Sequence, residues 1–221
     1  IKANLERLYQ LDLPVWQQYL NYLKNVLRGD FGPSYTRPEF TVAELFATGL
    51  PISIQLGTTA LVLALIVGSI LGITAALYQN RAADYAVIAT ATAGSTIPNF
   101  VIAPLFQLFF ALTLKWFPVG GWGDGALVNK VGPIITLMLP QLAIVARLMR
   151  GSMIEALRSH HIRTARALGL SDWSVIVRHA LRGALVPVIS YAGPAAAALL
   201  TGSIIVETIF GIPGIGRYFV E

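Results

Sequence analysis

Four long runs of apolar residues dominate the pattern along the chain. They contain no Asp, Glu, Lys or Arg, and they lie at residues 45–80, 85–114, 131–146 and 183–206. A helix needs about 20 mostly apolar residues to cross the hydrocarbon core of a bilayer. Three runs are long enough, and Arg147 and Arg150 can reach the headgroups from the end of the third. The pattern therefore predicts membrane spans at about residues 52–78, 86–112, 132–153 and 185–207.

The buried core of a soluble protein is the alternative for any single run. It fails for all four together, because a chain of 221 residues cannot cover so much apolar surface with what remains. The composition agrees, with 55% hydrophobic and 12% charged residues against about a quarter charged in soluble proteins. The predicted fold class is all-α, a polytopic transmembrane helical bundle.

The segment before the first run has a different period. After Pro14, apolar residues recur at the spacing of one helix face up to Leu27, and Gly29 ends the pattern. This predicts an amphipathic surface helix followed by the irregular segment GDFGPSYTRPEF. We therefore divide the chain into residues 1–49, an external helix and loop, and residues 50–221, the membrane domain.

The stretch from Arg147 to Arg182, called the basic loop below, carries the charge asymmetry. It holds seven of the 16 Lys and Arg residues and only Glu155 and Asp172 against them, so its seven minus two equals the +5 of the whole chain. The positive-inside rule places such a loop in the cytoplasm. By alternation, residues 1–49 and the loop at 115–131 are external.

The basic loop also has helix punctuation. A helix is predicted to continue from the third span through Glu155 and past Arg158, and a short one to cover residues 162–168. Gly169 then suits a left-handed cap, with Leu170 supplying the apolar contact that accompanies it. Ser171 fits the N-cap of the next helix, whose first turn contains Asp172. The loop is predicted to be two helices joined at a glycine corner, with its central part at residues 154–183 projecting from the membrane.

Periodicity assigns the faces of the second of these helices. Trp173, Ile176, Ala180 and Ala184 are predicted to share one face, while Arg178 and Arg182 share another.

Small residues inside the spans suggest how the helices pack, and polar residues there suggest a path across the membrane. Gly68 and Gly72 form a GxxxG pair, which allows close helix contact either within the chain or with another subunit. Prolines within the spans permit broken helices, a feature of transport proteins.

Candidates for a translocation path are the polar residues Asn99, Gln141, Tyr191 and Glu207. For Glu207 the alternative is a carboxylate that caps loop structure near residues 211–216.

The sequence offers little for catalysis. It has no GxxxxGK[ST] phosphate loop, no HExxH and no cysteine. We therefore predict no catalytic residue, no metal ligand and no cofactor bound by this chain itself, and nothing points to nucleic acid.

Four segments resemble one protein family. They are RTARALGLSDWSVIVRHALRGALVPVIS at 163–190, RGDFGPS at 28–34, STIPNF at 95–100 and VETIFGIPGIGR at 206–217. In this order and spacing they are similar to permeases of type I, binding-protein-dependent ABC importers, specifically the dipeptide, oligopeptide and nickel group. The resemblance runs over essentially the whole chain.

The resemblance implies a membrane complex. Its members would be a second related permease, two cytoplasmic ATPase subunits that hold ATP and Mg²⁺, and an external peptide-binding protein, in a bacterial inner membrane. A permease of this kind has about six spans, so the first and last are expected to lie outside the four visible here. Oligopeptide is the expected cargo, with dipeptide or nickel as alternatives. A non-transporting membrane scaffold and an ion channel are the rivals from other classes.

The resemblance also assigns the ATPase contact. Its centre would be residues 163–170, supported by three side chains further on; the full set is Arg163, Thr164, Ala165, Arg166, Ala167, Leu168, Gly169, Leu170, Ile176, Arg178 and Arg182. Arg163 and Thr164 replace the Glu and first Ala of the wider family pattern, which removes any ion pair that the family Glu would make.

Overall fold

The computed structural model describes residues 13–34, 37, 39–200 and 204–219, without the side chains of Leu200 and Phe219. Residues 1–12 of the predicted external segment and residues 201–203 of the predicted fourth span lie outside the description. The α-helices of the described residues are α1 (Val15–Leu27), α2 (Val42–Leu77), α3 (Ala82–Thr96), α4 (Asn99–Phe106), α5 (Leu127–Arg158), α6 (His160–Ala167), α7 (Asp172–Ser174), α8 (Leu181–Leu200) and α9 (Ile204–Ile209). Two π-helices, Gln107–Thr113 and Val175–Ala180, and two 3₁₀ turns, Gly123–Gly125 and Ile215–Phe219, complete them.

Three continuous helical segments of the described residues are long and apolar enough to cross a membrane. They are Val42–Leu77, Leu127–Arg158 and Asp172–Leu199, and a fourth span exists if the bent pair Ala82–Thr96 and Asn99–Thr113 counts as one. The all-helical membrane fold predicted from the charge-free runs is confirmed.

The amphipathic helix α1 is also where the periodicity places it. It begins after Pro14 and ends at Leu27, and Gly29 follows in the left-handed region at φ 80°. None of its side chains is buried.

The first span begins ten residues earlier than predicted. Thr41 and Glu44 form a capping box, in which the Thr41 hydroxyl accepts from the Glu44 N–H at 3.2 Å and the Glu44 carboxylate accepts from the Thr41 N–H at 2.8 Å. These two bonds satisfy orphan donors of the first turn and fix the start of α2. The predicted domain boundary between residues 49 and 50 therefore falls inside a helix.

The second span is broken. Helices α3 and α4 meet at Ile97–Pro98 with a bend of 103°. Asp84 near the start of α3 contacts Arg150 near the end of α5, whereas a Cβ at Gly132 near the start of α5 would touch the Phe106 ring at the end of α4. Since the pair reaches from one end of α5 to the other, it crosses the bundle and does not return to its starting side.

The predicted fourth span, residues 185–207, is helical wherever it is described. Helix α8 is described up to Leu200 and α9 from Ile204, and residues 201–203 between them lie outside the description. The Gly121 N–H donates to the Phe210 carbonyl at 2.7 Å, and a Cβ at Gly49 would meet the backbone of Ile215. The described residues 204–219 therefore pack against the end of the bundle opposite the basic loop.

The largest helix contact joins α2 to α5. A Cβ at Gly72 would lie 2.6 Å from the Ala146 carbonyl oxygen and 2.7 Å from the Met149 Cβ. A Cβ at Gly68 would lie 2.9 Å from Val145. The GxxxG pair thus serves packing within the chain, one of the two alternatives left open by the sequence, because only a hydrogen at Cα lets the backbones approach this closely.

A buried ion pair fastens the end of the bundle next to the basic loop. The Asp84 carboxylate accepts from Arg150 Nε at 2.5 Å and from Arg150 Nη2 at 2.7 Å, and it also accepts from the Asn80 N–H at 2.9 Å. Its side chain is only 1% exposed. Removing one partner would leave a buried charge uncompensated, so the pair fixes α3 against α5.

The glycine contact predicts a sharp difference between two alanine substitutions. We expect Gly72→Ala to destabilise the protein by about 1–3 kcal/mol, because the new methyl group overlaps backbone atoms of α5 that cannot rotate away. The thermal unfolding temperature in detergent measures the effect.

The control is Gly151→Ala, also within a helix, where a Cβ would have no neighbour within 4 Å. That variant should match or slightly exceed the wild-type stability. Equal melting temperatures for the two variants would contradict the packing described here.

Candidate functional site: the basic loop and the polar groups of the spans

The glycine corner of the basic loop forms as predicted. Gly169 has φ 77°, its N–H donates to the Arg166 carbonyl at 3.0 Å, and the Leu170 N–H donates to the Ala165 carbonyl at 3.3 Å. These two bonds define a Schellman motif, which ends α6 and reverses the chain. The preceding helix stops at Arg158 and does not continue past it, because Ser159 is extended, at ψ 157°.

The next helix starts at the predicted residue. The Ser171 hydroxyl accepts from the Ser174 N–H at 3.4 Å, and Asp172 lies in the first turn. Arg166 Nε lies 4.0 Å from Asp172 Oδ1, with both side chains more than half exposed. An exposed pair of this kind contributes little to stability.

The face assigned to this helix is wrong at one position. Trp173 is 76% exposed, whereas Val175, Ala180 and Ala184 are buried. The reason is the π-helix Val175–Ala180, whose wider turn shifts the buried row away from the α-helical spacing assumed from the sequence.

The loop is anchored to the bundle by its buried side chains. Ile162 and Val175 are fully buried in one cluster with Met149 and Met153 of α5. The Ser152 hydroxyl donates to the Ala184 carbonyl at 2.7 Å and so joins α5 to α8. The two short helices thus form a compact unit continuous with two spans.

The residues assigned to the ATPase contact are mostly at the surface. Ala165 is buried and Ile176 is half-buried, and the exposed ones are Arg163, Thr164, Arg166, Ala167, Leu168, Gly169, Leu170, Arg178 and Arg182. Leu168 is 75% exposed. Gly169, Leu170, Trp173, Val177 and Arg178 are among the residues lining an open depression of about 440 Å³.

Sequence reasoning missed Trp173 as a surface residue. A tryptophan in the first turn after a glycine corner, within a charged loop, was the available signal. Trp173 and Leu170 line the depression together with Arg178, and Leu168 is exposed next to the glycine corner. Exposed apolar side chains beside arginine are typical of a protein-binding surface.

The polar residues predicted for a path do not form one hydrogen-bonded cluster in the described residues. The Tyr191 hydroxyl donates to Gln141 Oε1 at 2.5 Å and links α8 to α5. Asn99 lies at the break between α3 and α4, where its Oδ1 is buried and accepts no hydrogen bond.

Glu207 belongs to the packing at the end opposite the basic loop. Its carboxylate accepts from the Ser53 hydroxyl and from the Gly216 N–H, both at 2.7 Å, and the Ser53 oxygen accepts from the Ile215 N–H at 2.9 Å. The carboxylate fills the space that a Cβ at Gly214 would need. This geometry favours the loop-capping alternative over a place in the path.

Known sequences agree with the motif resemblance. Residues 68–221 match the family described as the binding-protein-dependent transport system inner membrane component. Over all 221 residues the chain is 50% identical to the oligopeptide transport system permease protein OppB of Salmonella typhimurium, of which it spans 72%. It is 45% identical to OppB of Haemophilus influenzae, spanning 72% of it, and 47% identical to the dipeptide transport system permease protein DppB of Bacillus subtilis, spanning 71%.

The family match covers more than half of the chain, and the relatives align with all of it. The membrane-spanning helices and the glycine-cornered loop fit an inner membrane transport component. This chain is a multi-pass membrane protein that belongs to the family of binding-protein-dependent transport system inner membrane components.

Proposed function

We propose that the chain is a permease subunit of an ATP-driven peptide importer, where it forms one half of the translocation path. The observation that carries this proposal is the 50% identity over all 221 residues to an oligopeptide permease. The chain itself is non-catalytic in this proposal, and ATP and Mg²⁺ are bound by separate ATPase subunits. A second related permease supplies the other half of the path, and an external peptide-binding protein delivers the cargo.

The basic loop lies on the cytoplasmic side in this proposal. Its seven arginines against two acids support that side by the positive-inside rule. The opposite end of the bundle, with Ser53, Glu207 and the loop at 115–126, then faces the exterior together with α1.

The exposed centre of the basic loop is the proposed contact with an ATPase subunit. Leu168 and Trp173 would enter an apolar groove, and Arg163, Arg166 and Arg178 around them would pair with acidic residues of the partner. The loop can transmit movement because Ile162 and Val175 are packed against α5. A displacement of the loop would therefore move α5 and α8 as a unit, the kind of rigid shift that alternating access requires.

Dipeptide is the second candidate cargo, because the chain is also 47% identical to a dipeptide permease. The complex reconstituted in proteoliposomes with its binding protein should take up peptides only when ATP is supplied. Uptake of labelled peptides of two to five residues, measured side by side, decides between the cargoes. Failure to take up any peptide, with ATP hydrolysis intact, would contradict the proposed function.

The glycine corner should be needed for coupling. Valine at position 169 would have open space around its Cβ, so its whole effect comes from the φ of 77°, which costs an L-residue about 1–2 kcal/mol. We expect Gly169→Val to reorient Leu170 and Trp173 and to lower peptide uptake at least tenfold while ATP hydrolysis by the complex continues.

Gly169→Asn is the matched control, because asparagine tolerates the left-handed conformation. It should retain most of the uptake. Normal uptake by Gly169→Val would exclude a coupling role for the corner.

The exposed tryptophan should contribute to ATPase binding. Trp173→Ala is expected to weaken the affinity for the ATPase subunit by at least about tenfold, the effect of an interface residue worth more than about 1.4 kcal/mol. The melting temperature should not change, since the side chain is 76% exposed. Binding is measured with the purified ATPase subunit and the permease in detergent.

Trp116→Ala is the control for this experiment. Trp116 is 62% exposed and lies in the loop at the opposite end of the bundle. If both variants bind the ATPase as tightly as the wild type, Trp173 does not belong to the interface.

A further inference from the structure

The break in the second span leaves backbone groups without partners. Pro98 has no N–H to donate to the Gly94 carbonyl, and α4 starts in a new direction. Within the described residues, the carbonyl oxygens of residues 94–97 accept no hydrogen bond, and the N–H groups of Asn99 and Phe100 donate none. The nearby hydroxyls of Ser95 and Thr96 donate elsewhere, to the Thr92 carbonyl.

These groups lie in the middle of the bundle. A Cβ at Gly94 would be 3.6 Å from the Leu139 carbonyl oxygen, and Leu139 lies well inside α5. The segment from residue 85 to residue 114 carries no charge. The break is therefore at the depth of the hydrocarbon core and not at a headgroup region.

The break is also open on this subunit. Ile97 is 40% exposed and Phe100 is 55% exposed. An unsatisfied backbone group costs several kcal/mol in lipid, and irregular backbone at this depth is tolerated only against protein or beside water. We infer that the break itself, at residues 94–100, does not face lipid.

Asn99 adds an acceptor at the same point. Its Oδ1 is buried and has no partner among the described residues. A buried acceptor without a donor costs about 1–3 kcal/mol. The carbonyl end of α3 also carries the negative end of its helix dipole. The break thus has five hydrogen-bond acceptors without partners, four carbonyl oxygens and one amide oxygen, but only two backbone N–H donors without partners.

We propose that residues 94–100 contact the amino-terminal end of the peptide as it passes the middle of the membrane. A terminal ammonium offers three donors for the carbonyl oxygens, and Asn99 Oδ1, buried beside them, accepts one of these donors once its side chain rotates toward the opening. The first peptide carbonyl can accept from the free N–H groups. Every linear peptide carries this unit whatever its side chains, so the contact suits cargo of varied sequence. The inference rests on the proposed function and identifies the part of the cargo that this chain holds.

The chain has no cysteine, so one introduced thiol reports on the break. The Ile97→Cys variant of the reconstituted complex is treated with two thiol reagents of opposite charge. The cationic reagent is trimethylammonium-ethyl methanethiosulfonate, and the anionic reagent is sulfonatoethyl methanethiosulfonate. Each rate is divided by the rate of the same reagent with free cysteine, and labelling is read on this subunit after electrophoresis. The control is Ile70→Cys on α2, which is 57% exposed within an unbroken span.

We expect Ile97→Cys to react at least tenfold faster than Ile70→Cys with the cationic reagent, and to favour it severalfold over the anionic one. Adding Asn99→Leu should reduce this preference, and adding Asn99→Asp should increase it. Trialanine should slow the cationic reaction, whereas N-acetyl-trialanine at the same concentration should not.

Two results would overturn the inference. Reactivity of Ile97→Cys as low as that of Ile70→Cys would mean that lipid or the second permease covers the break. Equal rates for the two reagents, unchanged by Asn99→Leu, would mean that water reaches the break without selective acceptors. Peptide uptake by the unmutated complex in the same vesicles tests the proposed function separately. If that complex takes up peptide and either of these two labelling results is obtained, the inference is rejected while the proposed function stands.

Discussion

The contact between α2 and α5 is the constraint on which the rest of the bundle depends. In lipid, apolar side chains gain little by leaving one apolar surface for another, so helices associate through close packing and hydrogen bonds. Gly68 and Gly72 allow α2 to reach the backbone of α5 around Val145 and Ala146. Helices α3, α4 and α8 also pack on α5. Fixing α5 against α2 therefore fixes the surface on which the other spans are arranged.

Helix α5 also joins the membrane part to the basic loop. Its 32 residues extend about 48 Å at about 1.5 Å per residue, which is longer than a hydrocarbon core of about 30 Å. The extra turns carry Met153, against which Ile162 of the loop is buried. Close to Met153 along α5, the Asp84–Arg150 ion pair attaches α3 of the broken span to α5. Movement of the loop would therefore reach both the continuous and the broken spans through one helix.

The sequence predicted those features that depend on neighbours along the chain. Charge-free runs located the spans, and Gly169 with Ser171 located the corner, because a left-handed cap and an N-cap are local requirements. It failed where a distant partner or an irregular helix decided the outcome. The π-helix moved Trp173 to the surface, and nothing near Asp84 in sequence identifies Arg150 as its partner. The prolines allowed a break in the second span, but its position and the bend of 103° needed the packing against α5.

The polar side chains of the bundle differ in how they are satisfied, and this difference separates structure from transport. Asp84 receives three hydrogen bonds, and Glu207 receives two. Both carboxylates are buried and held by donors of the protein itself, which leaves them poorly accessible to cargo. Asn99 lies at a broken helix, where its buried Oδ1 has no partner among the described residues. Leaving a buried polar group without a hydrogen bond costs free energy, and proteins rarely keep such a group without a reason. The unsatisfied groups at the break therefore indicate the translocation path better than the charged residues do, although the charged residues are the ones most easily noticed in the sequence.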